Sequence, residues 1–177
     1  MPWIQNIALA DITKKHHIAV NDNSMLIQIV DPGMEFPKAL HGFNETYQFQ
    51  FLDLEENDPW GDEFKITDEQ AAELVELLKR ALGYKMDVVV HCVAGVCRSG
   101  AVAEVGIMMG FKDTETYRSP NLMVKHKMMK YLGWTYDENE PHTINGAPFE
   151  YDCLNNKVFI PKPAGSWVRP PEQEGDI

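Results

Sequence analysis

The sequence has few cysteines, little positive charge and no long hydrophobic run. Its 177 residues include three cysteines, and an odd, small number does not indicate a disulfide framework. No stretch approaches the roughly 18 consecutive apolar residues of a membrane-spanning helix. The segment that begins at Met1 lacks the basic flank and apolar stretch of a secretory signal. We therefore expect a cytoplasmic protein with no membrane partner.

Positive charge is scarce: 16 lysines and arginines stand against 27 aspartates and glutamates, for a formal net charge of −11. Such a balance gives little non-specific attraction for nucleic acid or anionic lipid. A nucleic-acid partner is therefore not expected, although a local basic site can exist within an acidic protein.

Strands and helices alternate along most of the chain, which predicts an α/β fold. Thr67 and Gln70 form a capping-box pattern before a run with helical spacing, and Asp87 begins an apolar run typical of a strand buried on both faces. We expect a mainly parallel central sheet flanked by helices. The predicted elements are strands at Ser24–Val30, Tyr47–Leu54 and Asp87–Val90, and helices opened by Thr67, Ser99 and the Ser119-Pro120 pair.

The composition of the sequence changes near residue 135, where prolines become frequent. We predict a domain over residues 1–134 and a proline-rich C-terminal extension over residues 135–177, packed on the core. One extra strand is expected at Lys157–Ile160, with a frayed end after Trp167. Cys153 in this region is expected to be structural.

The segment from Val90 to Gly100 carries the most specific signal. It joins a predicted buried strand to a predicted helix, so its backbone N–H groups converge beside the positive end of the helix dipole. Such a loop is an anion-binding nest; its phosphate-binding N–H groups would come from Val93, Ala94, Gly95, Val96 and Cys97. Gly95 permits the unusual backbone conformation of such a loop, and Arg98 offers a planar fork of donors for two phosphate oxygens.

The same environment favours ionisation of Cys92, because a thiol near a helix N-terminus and an arginine loses its proton easily. The thiolate is a strong nucleophile. Ser99 follows Arg98 directly, where its hydroxyl could stabilise a departing thiolate. One loop thus supplies a candidate nucleophile, a phosphate cradle and a clamp for the transition state.

The order His-Cys, five residues, then Arg-Ser-Gly resembles the signature of the protein tyrosine phosphatase superfamily. Pro120-Asn121, followed by Val124 and Leu132, is similar to the Pro-Asn helix start of the dual-specificity branch. The resemblance extends over roughly residues 25–133 and implies a dual-specificity-like phosphatase domain in residues 1–134.

The resemblance implies a role for each residue of the site. Cys92 attacks phosphorus, Arg98 binds the equatorial oxygens, and an aspartate protonates the leaving oxygen and then activates water. Asp53 is the favoured acid because it ends an apolar strand. Asp58 and then Asp62 are the alternatives. By the same resemblance His91 orients the loop and Asn121 is structural.

The expected function is hydrolysis of phosphate monoesters, on phosphotyrosine or more broadly on phosphoproteins, through a phosphocysteine intermediate and without a cofactor or metal. Two alternatives stay open: the same chemistry on a small-molecule, nucleotide or lipid phosphate, and a phosphate-binding module without activity. Lipid phosphatases of this superfamily tend to place lysines between the cysteine and the arginine. The loop here has none, which favours a protein substrate.

Overall fold

A computed structural model of the chain describes residues 1–14, 21–137, 150–152, 157–159 and 166–170. It divides into two compact units, Met1–Met128 and Met129–Ile177. The first unit contains a five-stranded sheet and its helices. In chain order the elements up to residue 131 are β1 (Trp3–Ala8), α1 (Leu9–Ile12), β2 (Ser24–Val30), β3 (Glu45–Gln50), α2 (Asp68–Gly83), β4 (Asp87–Cys92), α3 (Arg98–Met109), β5 (Lys112–Asp113) and α4 (Leu122–Tyr131), whose last three residues belong to the second unit.

The central sheet is entirely parallel, with the strand order β3-β2-β4-β1-β5. This confirms the predicted α/β fold. Every residue of β2 and β4 is buried, as expected of inner strands covered on both faces. The edge strand β3 instead alternates between more and less exposed residues. The strand that ends in Cys92 therefore lies in the middle of the sheet.

Helix α2 begins as the sequence predicts. The Thr67 hydroxyl accepts a hydrogen bond from the Gln70 N–H at 3.1 Å, and the Gln70 side chain accepts one from the Thr67 N–H at 3.0 Å. This capping box satisfies two N–H groups that the first helical turn leaves without partners. The buried face of the helix consists of residues at helical spacing: Ala71, Leu74, Val75, Leu77, Leu78 and Ala81.

Two strand predictions needed correction. The segment Trp3–Ala8 forms β1, which pairs with β4 and was not predicted from the sequence. Strand β3 ends at Gln50 rather than continuing to Leu54, because the Leu52 N–H donates to the carbonyl of Phe64 at 2.8 Å instead of to a neighbouring strand.

The start of α4 was also predicted wrongly. The helix begins at Leu122, not at Ser119-Pro120, and the Asn121 side chain accepts a hydrogen bond from the Val124 N–H at 2.9 Å. Asn121 is the N-cap, since its carbonyl also accepts the first helical hydrogen bond, from the Lys125 N–H at 3.1 Å. The N–H groups of Ser119 and Asn121 donate to the carbonyls of Val96 and Cys97, so the segment before α4 is bound to the loop that follows Cys92.

The second unit contains short antiparallel pairs. Strand β6 (Thr135–Asp137) pairs with β9 (Ser166–Val168), and β7 (Glu150–Asp152) pairs with β8 (Lys157–Phe159). The strand predicted at Lys157 is present. Cys153 and residues 171–177 of the predicted frayed end lie outside the described residues, and the packing of the extension on the core stays a prediction.

Within the described ranges, no helix combines the length and the apolar character that crossing a bilayer would require.

Candidate active site

The candidate site lies at the carboxyl edge of the sheet. Parallel strands all end at the same edge, so the residues that follow β2, β3 and β4 are brought together there. They surround a pocket of about 390 Å³. Its described lining residues are Asp31, Leu52, Asp53, Leu54, Trp60, Cys92, Val93, Ala94, Cys97 and Arg98.

Cys92 is the last residue of β4 and is only 2% exposed, at the inner end of this pocket. Its sulfur accepts a hydrogen bond from the Gly95 N–H at 3.2 Å, and Ser99 Oγ lies 3.1 Å from it. An N–H and a hydroxyl in these positions can stabilise a thiolate. Ser99, which the sequence predicts as a site residue, thus lies beside the thiol.

The loop after Cys92 turns tightly at Gly95, whose φ is +74°. A Cβ atom at this position would lie 2.2 Å from the carbonyl carbon of Ile7 and 2.2 Å from the nitrogen of Ala8. No other residue can therefore occupy the turn without displacing the backbone of β1. Asn6, which is fully buried on β1, holds the same turn by donating to the Gly95 carbonyl at 2.7 Å.

Strand β1 therefore supports the loop, a role that sequence reasoning missed. The Leu9 N–H also donates to the Val93 carbonyl at 3.2 Å. The apolar residues Trp3, Ile4, Ile7 and Ala8 are three or four positions apart, which is also helical spacing, so the local pattern does not identify a strand.

Arg98 begins helix α3 and is 4% exposed. Its Nη1 donates to Asp31 Oδ1 at 2.7 Å and to the Phe51 carbonyl at 2.7 Å. Its Nε is buried and has no hydrogen-bond partner among the described residues. A buried guanidinium donor without a partner costs free energy unless a ligand accepts its hydrogen bond. The guanidinium is thus fixed on one side and has an unused donor.

Asp31 was missed as a site residue because Asp31-Pro32-Gly33 is also a strong turn signal. It directly follows β2, the neighbour of β4, so the sheet order brings it to the pocket. Topology of this kind is not visible in a local motif.

The three candidate acids lie in different surroundings. Asp53 lines the pocket, and its Oδ1 accepts a hydrogen bond from the side-chain amide of Asn121 at 2.8 Å. Asp58 instead accepts from the Glu55 N–H at 2.6 Å, and Asp62 forms an ion pair with Lys65 at 2.7 Å. Neither Asp58 nor Asp62 lines the pocket. Of the three, only Asp53 shares a cavity with Cys92.

Two ionisable groups near the site have shifted pKa values. Burial lowers the pKa of His91 to about 4, and the nearby Arg98 cation acts in the same direction. His91 is therefore neutral at pH 7. Burial raises the pKa of Glu55, although the N–H groups of Leu122 and Met123, which donate to its carboxylate, act against this.

The first unit also contains a buried network of ion pairs. Glu104 on α3 pairs with Lys125 at 2.5 Å and with Arg118 at 3.6 Å, and Arg118 pairs with Asp113 at 3.0 Å. A Cβ added at Gly100 would lie 2.9 Å from Arg118 Cβ, so this network packs closely against the helix that carries Arg98. No group of three or more metal-binding side chains occurs in the part of the chain that the structure describes.

No protein-family model matches the chain, and no curated protein matches it either.

Proposed function

We propose that the protein is a phosphatase that hydrolyses phosphate monoesters through a covalent intermediate on Cys92, with phosphotyrosine or dual-specificity phosphoproteins as substrates. The observation that carries the proposal is the convergence of Cys92, Arg98 and Asp53 on one pocket. This reaction needs a nucleophile, a group that binds the phosphate oxygens and a general acid.

In the first step the Cys92 thiolate attacks phosphorus, and the bond between phosphorus and the ester oxygen breaks. Asp53, in its protonated form, donates its proton to the departing oxygen. Arg98 and the backbone N–H groups of the loop hold the other phosphate oxygens, and the Arg98 Nε donor gains a partner.

In the second step the Asp53 carboxylate accepts a proton from a water molecule, whose oxygen attacks the phosphocysteine. The bond between sulfur and phosphorus breaks, inorganic phosphate leaves, and the thiolate is regenerated. Ser99 Oγ is 3.1 Å from this sulfur and can donate a hydrogen bond to it as it departs.

Asp31 acts in this proposal through Arg98. Its carboxylate holds Nη1, so the orientation of the guanidinium is set before substrate binds. Pre-organised donors of this kind stabilise a transition state without reorganising during the reaction.

Replacement of the nucleophile tests the proposal. Cys92→Ser should abolish turnover of 4-nitrophenyl phosphate, because a hydroxyl at neutral pH is a poor nucleophile. The same variant should still bind inorganic phosphate by calorimetry, because Arg98 and the loop N–H groups are untouched. Arg98→Lys should lose most activity, since an ammonium group cannot reproduce the fork of donors. Substantial turnover by Cys92→Ser would rule out the covalent mechanism.

The alternative of a lipid phosphate substrate lacks support from nearby basic residues. Lys125 is buried and paired with Glu104, and Lys127 pairs with Asp68 at 2.6 Å. Arg98 is the one cation among the described lining residues of the pocket, which also include Asp31 and Asp53. A highly charged head group would meet few counter-ions there.

A further inference from the structure

The acidic loop between β3 and α2 is closed on itself. The Leu52 N–H donates to the Phe64 carbonyl at 2.8 Å, and the Phe64 N–H donates to the Gly61 carbonyl at 2.8 Å. A surface loop of this length with adjoining ends is an Ω-loop, which is often compact and functional. We call residues 52–65 the Ω-loop.

A buried ammonium group fixes the interior of the Ω-loop. Lys65 is 8% exposed, and its Nζ donates to the carbonyls of Glu56 (3.2 Å) and Asp58 (2.8 Å) and to the Asp62 carboxylate (2.7 Å). These bonds use all three donors of the ammonium. Because a buried charge is costly without such partners, the loop is held in the shape that supplies them.

The Ω-loop is also anchored to the rest of the first unit. Glu55 accepts hydrogen bonds from the N–H groups of Leu122 (2.9 Å) and Met123 (3.0 Å) at the start of α4. Gly61 has a φ of +76°, and a Cβ there would lie 2.7 Å from Leu54 Cδ1. The turn next to Trp60 is therefore tight and closely packed.

This fixed loop presents Trp60 at the mouth of the Cys92 pocket. The residue is 62% exposed and nevertheless lines the pocket. A single exposed aromatic is ordinary on a protein surface, but this one is held by a rigid loop above a candidate anion site. The neighbouring lining residues are mostly apolar: Leu52, Leu54, Val93 and Ala94.

We propose that Trp60 is a specificity-determining residue that contacts the aromatic ring of an aryl phosphate, so that the pocket selects aryl over alkyl phosphate monoesters. The proposal rests on the proposed phosphatase function. The indole would stack on, or meet edge-to-face, a ring whose phosphate occupies the Arg98 cradle. An alkyl phosphate presents no ring, so it would gain nothing from Trp60.

Binding to the inactive Cys92→Ser variant tests this independently of turnover. Phenyl phosphate and ethyl phosphate carry the same phosphate group and differ in the ester group alone. In the Cys92→Ser background, Trp60→Ala should weaken phenyl phosphate binding by roughly tenfold, as expected for loss of an aromatic pair. Its affinity for ethyl phosphate should change by less than about twofold, and Trp60→Phe should recover most of the loss. Calorimetry measures all of these affinities.

Phe64→Ala is the matched control. Phe64 is another exposed aromatic residue of the Ω-loop, but it does not line the pocket, so its replacement should leave both affinities unchanged. An equal loss of affinity for both ligands in Trp60→Ala would overturn the role of Trp60. So would a loss of phenyl phosphate affinity in Phe64→Ala as large as that in Trp60→Ala. Tight ring-dependent binding without turnover by the wild-type chain would instead contradict the phosphatase function and leave the aryl site standing.

Discussion

Two carboxylates reach the same pocket from different strand ends, and their partners give them different roles. Asp53 accepts a hydrogen bond from Asn121, and Asp31 is bound to Arg98. The carboxylate of Asp31 is occupied by an ion pair with Arg98, whereas the partner of Asp53 is a neutral amide. Under the proposed function, proton transfer is therefore expected of Asp53 and orientation of the guanidinium of Asp31.

Asp53→Asn should lower turnover by about 10²–10⁴-fold, the usual contribution of general acid catalysis. The loss should be smaller for 4-nitrophenyl phosphate, whose leaving group needs little protonation, than for phosphotyrosine or an alkyl phosphate. Steady-state kinetics with a series of aryl phosphates, whose phenol leaving groups differ in pKa, measures this. Asp58→Asn is the control, and a larger loss in that variant would move the acid role to Asp58.

Asp31→Asn should weaken phosphate binding without changing how turnover depends on the leaving group. It leaves the acid in place, so the dependence on leaving group should stay that of the wild type, while the affinity for inorganic phosphate falls by roughly tenfold because Arg98 loses a charge-assisted hydrogen bond. Phosphate inhibition constants and the leaving-group series together separate the two carboxylates. A steeper dependence on leaving group in Asp31→Asn would show that Asp31 takes part in proton transfer.

The buried His91 should make stability depend on pH. Its pKa is about 4 in the folded chain against an ordinary value of 6.5, so the unfolded chain binds the proton more tightly. The contribution of neutral His91 is complete above pH 6.5 and is lost as the pH falls towards 4. The free energy of unfolding should decrease over this window by on the order of 3 kcal/mol more in the wild type than in His91→Asn. Urea unfolding at a series of pH values measures the difference, and parallel curves would contradict it.

At the scale of the element, the loop between Cys92 and Arg98 depends on strand β1. Asn6 and the backbone at Ile7 and Ala8 fix the turn at Gly95, while the segment before α4 binds the loop carbonyls from another direction. Other elements thus satisfy the carbonyl groups of this five-residue turn.

Gly95→Ala should distort this loop and lower the free energy of unfolding by more than the 1–3 kcal/mol typical of a strained backbone position. Both the positive φ and the contact with β1 oppose a Cβ there. Gly33→Ala is the control, because Gly33 has a similar φ of +87° and no atom within 4 Å of the added Cβ. Thermal unfolding compares the two variants. If Gly33→Ala is as destabilising as Gly95→Ala, the contact with β1 contributes nothing.

At the scale of the whole molecule, the charge distribution bears on substrate class. The chain carries a net charge of −11, and carboxylates face the single described cation of the pocket. We therefore expect weak attraction for a multiply charged anion, and under the proposed function the affinity of the site would depend on short-range contacts with one phosphate group.

Phosphotyrosine peptides should accordingly be better substrates than soluble phosphoinositides, by at least about tenfold in kcat/KM. Malachite green assays on both substrate series at two salt concentrations measure this. Comparable rates on phosphoinositides would show that a basic surface elsewhere in the chain binds the head group.

The sequence by itself determined the class of fold and pointed to the loop that forms the candidate site. The capping box at Thr67, the buried runs of β2 and β4, and the order of residues from Cys92 to Ser99 all depend on neighbours close in the chain, so local patterns sufficed to predict them. Tertiary structure decided what local patterns cannot contain: the place of β1 beside β4, the arrival of Asp31 at Arg98, which of three candidate acids lines the pocket, and the hydrogen bonds that hold the segment before α4 to the loop after Cys92. Each of these depends on hydrogen bonds between residues far apart in sequence, such as Asn6 to Gly95 and Asn121 to Asp53. A parallel sheet brings such residues to one edge because all its strands end there, whatever their order along the chain.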